Sequence, residues 1–217
     1  MTSTEQDPAG ERSLDHRSRD DSARDDSARD DRALDDRALD DPALDDRALD
    51  DLRAVLVRAV ERLEAAGARD EALAVLVEPR PLLGLTRPAV LRGVGRAWRL
   101  GALMLGADGT LYATGALVRA REAGVRNHQS ASAEARRDLR AAALRGKFGP
   151  GETVNYGWRE LALDAAAVRS GDGPLVFAPD GTLAVRWNAA LGDAAARDVV
   201  AYLDERVRLL VEPLDVP

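Results

Sequence analysis

The chain has 217 residues, no cysteine, 31 basic and 38 acidic residues, and a formal net charge of −7. This length allows one domain and leaves room for a second, and the missing cysteines exclude disulfides, thiolate nucleophiles, zinc knuckles and iron–sulfur ligation. The charge averages two unlike parts: residues 1–51 hold 18 acidic residues against 8 arginines, a net of −10, while the rest holds 23 basic against 20 acidic residues, a net of +3.

The opening MTSTEQDPAGERS has neither the basic nor the apolar segment of a secretory signal. No apolar run approaches the roughly 18 residues of a membrane helix, so the cytoplasm is the expected compartment and no membrane partner is expected. Every basic residue except Lys147 is an arginine. That is the codon signature of a GC-rich genome, so arginine content alone does not indicate a nucleic-acid partner.

Residues 20–49 are six consecutive pentads, DDSAR, DDSAR, DDRAL, DDRAL, DDPAL and DDRAL. A five-residue step advances about 500° around a helix, so Leu34, Leu39, Leu44 and Leu49 make no stripe. On a strand an odd period alternates faces, and Pro42 is expected to break a helix. A charged tract this poor in aromatic residues does not offset its ordering entropy. The expectation is a disordered acidic tail over residues 1–49 and a single folded domain over 50–217.

Asp50 or Asp51 is the expected N-cap of a first helix, striped by Leu52, Leu56, Ala59, Val60 and Leu63 and ending near Gly67. Arg69–Val77 reads as a second short helix, and EPRPLLGLTRP as a connector. Ala97–Leu105 and Thr110–Val118 read as strands around the turn Ala107-Asp108-Gly109. Ser132–Arg145 reads as a helix with Glu134 in its first turn and Gly146 at its stop. Glu152–Leu163 reads as a third strand, with Val154, Tyr156 and Trp158 on one face by alternation. Leu175–Ala178 and Thr182–Trp187 form a second hairpin on Pro179-Asp180-Gly181. An amphipathic helix from about Asp193 closes the chain, with Val200, Leu203, Val207 and Leu210 in 3-4-3 spacing. The fold class expected is α+β: a small antiparallel sheet of two hairpins plus one strand, packed by helices, after the tail. So few aromatic residues should mark the core, Trp98, Trp158 and Trp187 among them.

The chemistry-bearing residues are sparse. His128 is the one imidazole of the domain, and Ser130, Ser132 and Ser170 are its serines, none in a G-x-S-x-G elbow. Ser130 and Ser132 stand where a helix needs a cap. Neither HExxH nor a His–carboxylate cluster is present, and Gly93-Val94-Gly95 lacks the third glycine of a dinucleotide loop. Gly146-Lys147-Phe148-Gly149 matches the GXXG of RNA-binding KH domains, but Pro150 and Gly151 follow at once, which makes it a helix cap and turn. No cofactor-binding pattern is found.

One feature points to a partner. Arg119–Lys147 holds eight basic residues against three acidic ones. Arg136 and Arg140 are one helical turn apart with Arg137 adjacent, and Arg145 and Lys147 follow. A cationic helix face of this kind suits phosphate or carboxylate groups. The candidate anion-binding residues are therefore Arg136, Arg137, Arg140, Arg145 and Lys147, for an anionic ligand or nucleic acid. The acidic tail is expected to contact the same face intramolecularly.

The segments RAWRLGALML through ATGALVRAR, RGKFGPGETVNYGWREL and YLDERVRLL resemble an uncharacterised family of actinobacterial proteins over roughly residues 88–212. Some of its members carry the label glutaminase. The residues do not support that activity here. Amidotransferase glutaminases need a cysteine, and β-lactamase-like ones need Ser-x-x-Lys, whereas the residue three before Lys147 is Leu144. The sequence reading is thus a cytosolic domain, non-enzymatic on balance, with an anionic partner. A hydrolase built from carboxylates, Tyr112, Tyr156 or His128 is the first alternative. A winged-helix DNA-binding protein, with its recognition helix in 79–92, is the second.

Overall fold

The computed structural model describes residues 42–82, 85–122 and 131–212. Its helices are α1 (Pro42–Ala65), α2 (Ala131–Arg145), α3 (Ala165–Arg169) and α4 (Val199–Val211). Strands β1 (Glu71–Val77), β4 (Val90–Leu100), β5 (Leu103–Gly106), β6 (Leu111–Ala113), β7 (Ala116–Arg119), β8 (Thr153–Tyr156) and β9 (Arg159–Glu160) form one sheet in the order β7-β8-β1-β4-β5-β6-β9. Two small sheets accompany it: β2 (Arg80–Leu82) with β3 (Leu85–Arg87), and β10 (Leu175–Phe177), β11 (Leu183–Val185) and β12 (Arg197–Asp198). The fold is α+β and mainly antiparallel, with a larger sheet than two hairpins and a strand.

Helix α1 reaches back into the pentads. Asp45, Leu49, Leu52, Leu56, Ala59 and Leu63 follow a 4-3-4-3-4 spacing and are all buried, the pattern that puts one helix face against a core. Ordered structure therefore includes Pro42 and does not wait for Asp50. Pro42 stands in the first described turn, where its missing N–H forgoes no intrahelical bond. The five-residue step does rotate the repeat leucines apart: Leu44 is 49% exposed and Leu49 is 1% exposed. Asp45 is buried as well, and its Oδ2 lies 2.7 Å from Arg169 Nε on α3. The helix stops where Gly67, at φ 58, donates to Glu64 O and Ala68 N–H bonds Leu63 O, a left-handed cap.

The segment expected as a second helix is β1, the middle of the sheet. Its sequence EALAVLV favours a helix locally, but both faces of the strand are covered. Ala72 and Ala74 pack with Ala142 and Ala143 of α2, and Leu73 packs with Ala97 and Met104 on the other side. Burial on two faces overrides propensity. β1 pairs antiparallel with β4 and parallel with β8, the latter through Ala72↔Val154 and Leu73↔Asn155. Asn155 is fully buried and fully bonded at this junction. Its Oδ1 accepts from Arg99 Nη1 at 2.6 Å, and its Nδ2 donates to Glu71 Oε2 at 2.8 Å and Ala72 O at 3.3 Å.

The remaining strands predicted for the main sheet are all divided: Thr110–Val118 is β6 and β7, parted at Thr114-Gly115 and lying at opposite sides of the sheet, and two glycines in left-handed conformations cut the others. Gly101, at φ 72, turns the chain between Leu100 and Leu103, so Ala97–Leu105 is two strands. A Cβ there would lie 2.2 Å from Tyr202 Oη, which accepts the Ala102 N–H at 2.9 Å. Buried Tyr202 thereby ties α4 to the hairpin. Gly157, at φ 65, divides Glu152–Leu163 into β8 and β9, which end up near opposite edges of the sheet. The alternation breaks with it. Val154 and Tyr156 face α2, while Trp158 crosses to the other face, donates to Ala74 O at 3.1 Å and meets Tyr112 edge-on at 5.1 Å. Trp98 is buried and bonds Ala68 O, but Trp187 is 43% exposed, so not every tryptophan marks the core.

The turns at Ala107–Gly109 and Pro179–Gly181 stand where expected, between β5 and β6 and between β10 and β11. The closing helix starts at Val199, later than Asp193, because Asp198 Oδ1 caps Ala201 N–H at 2.7 Å and Gly192, at φ 63, precedes a separate short turn. The described residues of 79–92 are strand and connector, so the recognition helix of a winged-helix protein is not among them. No helix among the described residues is long and apolar enough to cross a membrane.

The packing of the last pentad has a measurable consequence. Removing residues 1–49 should lower unfolding free energy by at least about 3 kcal/mol relative to removing residues 1–41, since a core leucine and a charged hydrogen bond are lost. Urea midpoints of the two truncated proteins check this, and equal midpoints would place Asp45 and Leu49 outside the core.

Candidate anion-binding site

Helix α2 is alanine-rich, which lets it lie close to the small residues Ala72, Ala74 and Val154 of the sheet. Its far end is clamped to β4. A Cβ on Gly146 would fall 1.8 Å from Leu91 O, and Arg145 Nε donates to Ala89 O at 2.8 Å. Leu139, Ala142 and Ala143 turn toward the sheet. Arg136 and Arg140, one turn apart, flank that stripe on the side of β7.

Between α2 and the edge of the sheet lies a cavity of about 460 Å³. Helix α2 supplies Arg136, Leu139 and Arg140, β7 supplies Leu117, Val118 and Arg119, Arg121 follows β7, and Tyr156 comes from β8. Because β7 is an edge strand, residues of both its faces border the space. Val118 is buried, Leu139 and Tyr156 are half-buried, and the four arginines are exposed. Among the described residues none of these four guanidinium groups has a hydrogen-bond or ion-pair partner. Among the described residues no carboxylate lines the cavity; the acidic residues nearest in sequence are Glu122, Glu134 and Asp138. The site is an apolar floor under four uncommitted cations.

Several arginines elsewhere in the domain are committed. Arg96 contacts Asp70 and Glu152, each at 2.9 Å, and Arg197 contacts Glu205 at 2.7 Å. A second cavity, of about 600 Å³, includes Arg159, Arg186 and Trp187. There Arg159 donates to Asp172 O, and Arg186 holds Asp193 and the carbonyls of Gly171 and Gly173. Size does not distinguish the two spaces; the free cations do.

Of the five residues expected from the sequence, the structure brings Arg136 and Arg140 to the cavity. Arg137 does not line it. Its side chain is 12% exposed, Nη2 lies 3.8 Å from Glu134 Oε1, and Nη1 is buried with no hydrogen-bond partner among the described residues. Arg145 is bonded to Ala89 O, and Lys147 occupies the turn after α2 at φ 68. That turn is the cap inferred for GKFG: Lys147 N–H bonds Leu144 O at 2.9 Å and Phe148 N–H bonds Ala143 O at 3.4 Å. Lys147 lies past the end of α2, which runs on from Arg140 to Arg145 for about 7.5 Å of helical rise.

The sequence places Arg119 and Arg121 in the basic segment without tying them to a site, and offers Tyr156 as a strand-face residue or a hydrolase group, not as part of an anion site. The edge position of β7, which unites them, has no sequence signal. Tyr112 lies on the face of Met104 and Trp158, away from Tyr156, and burial pushes its phenol above the usual value. His128 and Ser130, and the acidic tail expected to contact the basic face, lie outside the described residues.

No family model, curated protein or solved structure matches the chain.

Two predictions follow from the turn after α2. Lysine in a left-handed conformation is strained where glycine is not, so Lys147→Gly should stabilise the domain by about 1 kcal/mol. Anion affinity at the cavity should be unchanged. A lower denaturation midpoint, or lost anion binding, would give the lysine a different role. The second concerns Glu152, whose carboxyl is held below its usual range first by the hydrogen bond from Arg96 and then by the Gly149 N–H. The folded state therefore binds this proton more weakly than the unfolded chain. The stabilisation is full above the unfolded carboxylate range and is lost as pH falls through the lower folded value. Melting curves between neutral and acid pH should fall less steeply for Glu152→Gln than for the parent protein.

Proposed function

We propose that the chain is a cytosolic, non-enzymatic domain that binds an anionic partner in the cavity between α2 and β7. The observation that carries this reading is the convergence of Arg119, Arg121, Arg136 and Arg140 on one concavity, with no carboxylate among the described residues that line it. Four like charges around a shared space repel one another, and a bound anion relieves that repulsion. Guanidinium groups meet phosphate and carboxylate oxygens in paired, charge-assisted hydrogen bonds. Residues 52–217 carry a net charge of only +3, so four arginines around one concavity are a local concentration and not the consequence of a strongly basic domain.

The hydrolase alternative draws less support. It requires two acid–base groups in one pocket, and among the described residues this cavity presents Tyr156 without Tyr112 or a carboxylate, Tyr112 lying on the opposite face of the sheet. The described lining residues include no serine or threonine hydroxyl to serve as a nucleophile.

Binding should appear as thermal stabilisation by inorganic phosphate, pyrophosphate and citrate at low ionic strength. At a hundredfold excess over Kd the gain is about 2.7 kcal/mol, and it should shrink as salt screens exposed charges. Arg136→Glu combined with Arg140→Glu should weaken binding at least about tenfold, a loss of about 1.4 kcal/mol, while circular dichroism stays that of the parent. Undiminished binding by a folded double variant would overturn the proposal.

A further inference from the structure

We infer that the ligand is a compact organic phosphate, a phosphomonoester carrying an apolar or aromatic body, and not a polyanion. This rests on reading the cavity as an anion site and adds what kind of anion fits it. Three observations point the same way.

The first is shape. A polyanion is tracked by cations strung along a surface, which neutralise successive phosphates. Here the cations come from two walls, Arg136 and Arg140 on α2, Arg119 and Arg121 on and just after β7, around a space of about 460 Å³. That volume falls in the range of roughly 300–1,000 Å³ that small-molecule sites occupy.

The second is charge. With no carboxylate among the described lining residues, a monoanion leaves most of the positive charge uncompensated. A phosphomonoester brings about −1.5 to −2 near neutral pH and three acceptor oxygens, enough to engage more than one guanidinium fork.

The third is the floor. Val118 is 8% exposed, and Leu139 and Tyr156 are partly buried hydrophobic residues of the same core cluster. An inorganic anion gains nothing from such a surface and has to dehydrate against it. A ligand with an apolar or aromatic body covers it, and Tyr156 adds an aromatic contact. The floor thus separates organic from inorganic phosphate, and the arginines separate phosphate from neutral ligands.

Titration calorimetry on the full chain at low salt tests this with three probes: phenyl phosphate, inorganic phosphate and a twelve-residue oligothymidylate. Phenyl phosphate should bind at least about tenfold more tightly than inorganic phosphate, and more tightly than the oligonucleotide per site. Tyr156→Ala should reduce that margin while leaving inorganic phosphate affinity nearly unchanged, and Tyr156→Phe should preserve it. The margin on the parent protein needs no variant, so it decides even if Tyr156→Ala does not fold. Equal affinity for the two phosphates would overturn the inference and leave the anion site standing. So would binding of the oligonucleotide alone. Binding of none of the three would remove both the inference and the proposed function beneath it.

Discussion

The parallel junction between β1 and β8 holds the cationic cavity to the rest of the fold. Strand β7 touches the main sheet only through β8, and β8 meets β1 in just two register pairs, Ala72↔Val154 and Leu73↔Asn155. Short parallel pairing is weak by itself. Asn155 reinforces it by satisfying every polar atom of its buried amide across three partners. A buried amide left half-bonded costs more than it contributes, so such a network is strongly geometric. It fixes β8 in one position relative to β1 and β4. With β8 go Tyr156 and the edge strand, and with them one wall of the cavity.

The other wall is set by a different device. Helix α2 approaches the sheet over alanines, and its end is locked against β4 by Gly146 beneath Leu91 O. Polar registration holds one wall and close packing of small residues the other, and neither mechanism uses the four arginines of the cavity. The cations are carried by a frame that would exist without them. This separation distinguishes the site from the ion pairs of Arg96, Arg169 and Arg186, which hold the fold together and are fully engaged in doing so.

What the sequence disclosed follows the range of the interactions involved. Helices α2 and α4 and the turns at Asp108-Gly109 and Asp180-Gly181 are local patterns, and they stand close to where the residues place them. β1 escaped because EALAVLV becomes a strand only when β4, β8 and α2 surround it. Glycine marked the turns that carry an adjacent Asp, but Gly101 and Gly157 divide strands without one, and the second of these sent Trp158 to the opposite face. The site divided in the same way. Arg136 and Arg140 were legible as neighbours on one helix. Arg119, Arg121 and Tyr156 join them only through the edge position of β7, which depends on the order of seven strands.

The union of a repeat tract with a packed helix bears on how this chain tolerates genetic change. Slippage adds or deletes whole pentads, and DDRAL occurs at 30–34 and 35–39 as well as at 45–49. Loss of the unit at 40–44 would leave three consecutive DDRAL units, the last still carrying Asp45 and Leu49. The repeat count can thus drift while the composition of the helix start is regenerated from identical copies. Point substitutions enjoy no such buffering, because Asp45 and Leu49 are each buried at 3% and 1% exposure. Within one short tract, then, the fold constrains spelling at the final unit, where Asp45 and Leu49 pack, and leaves the number of units before it unconstrained by that packing.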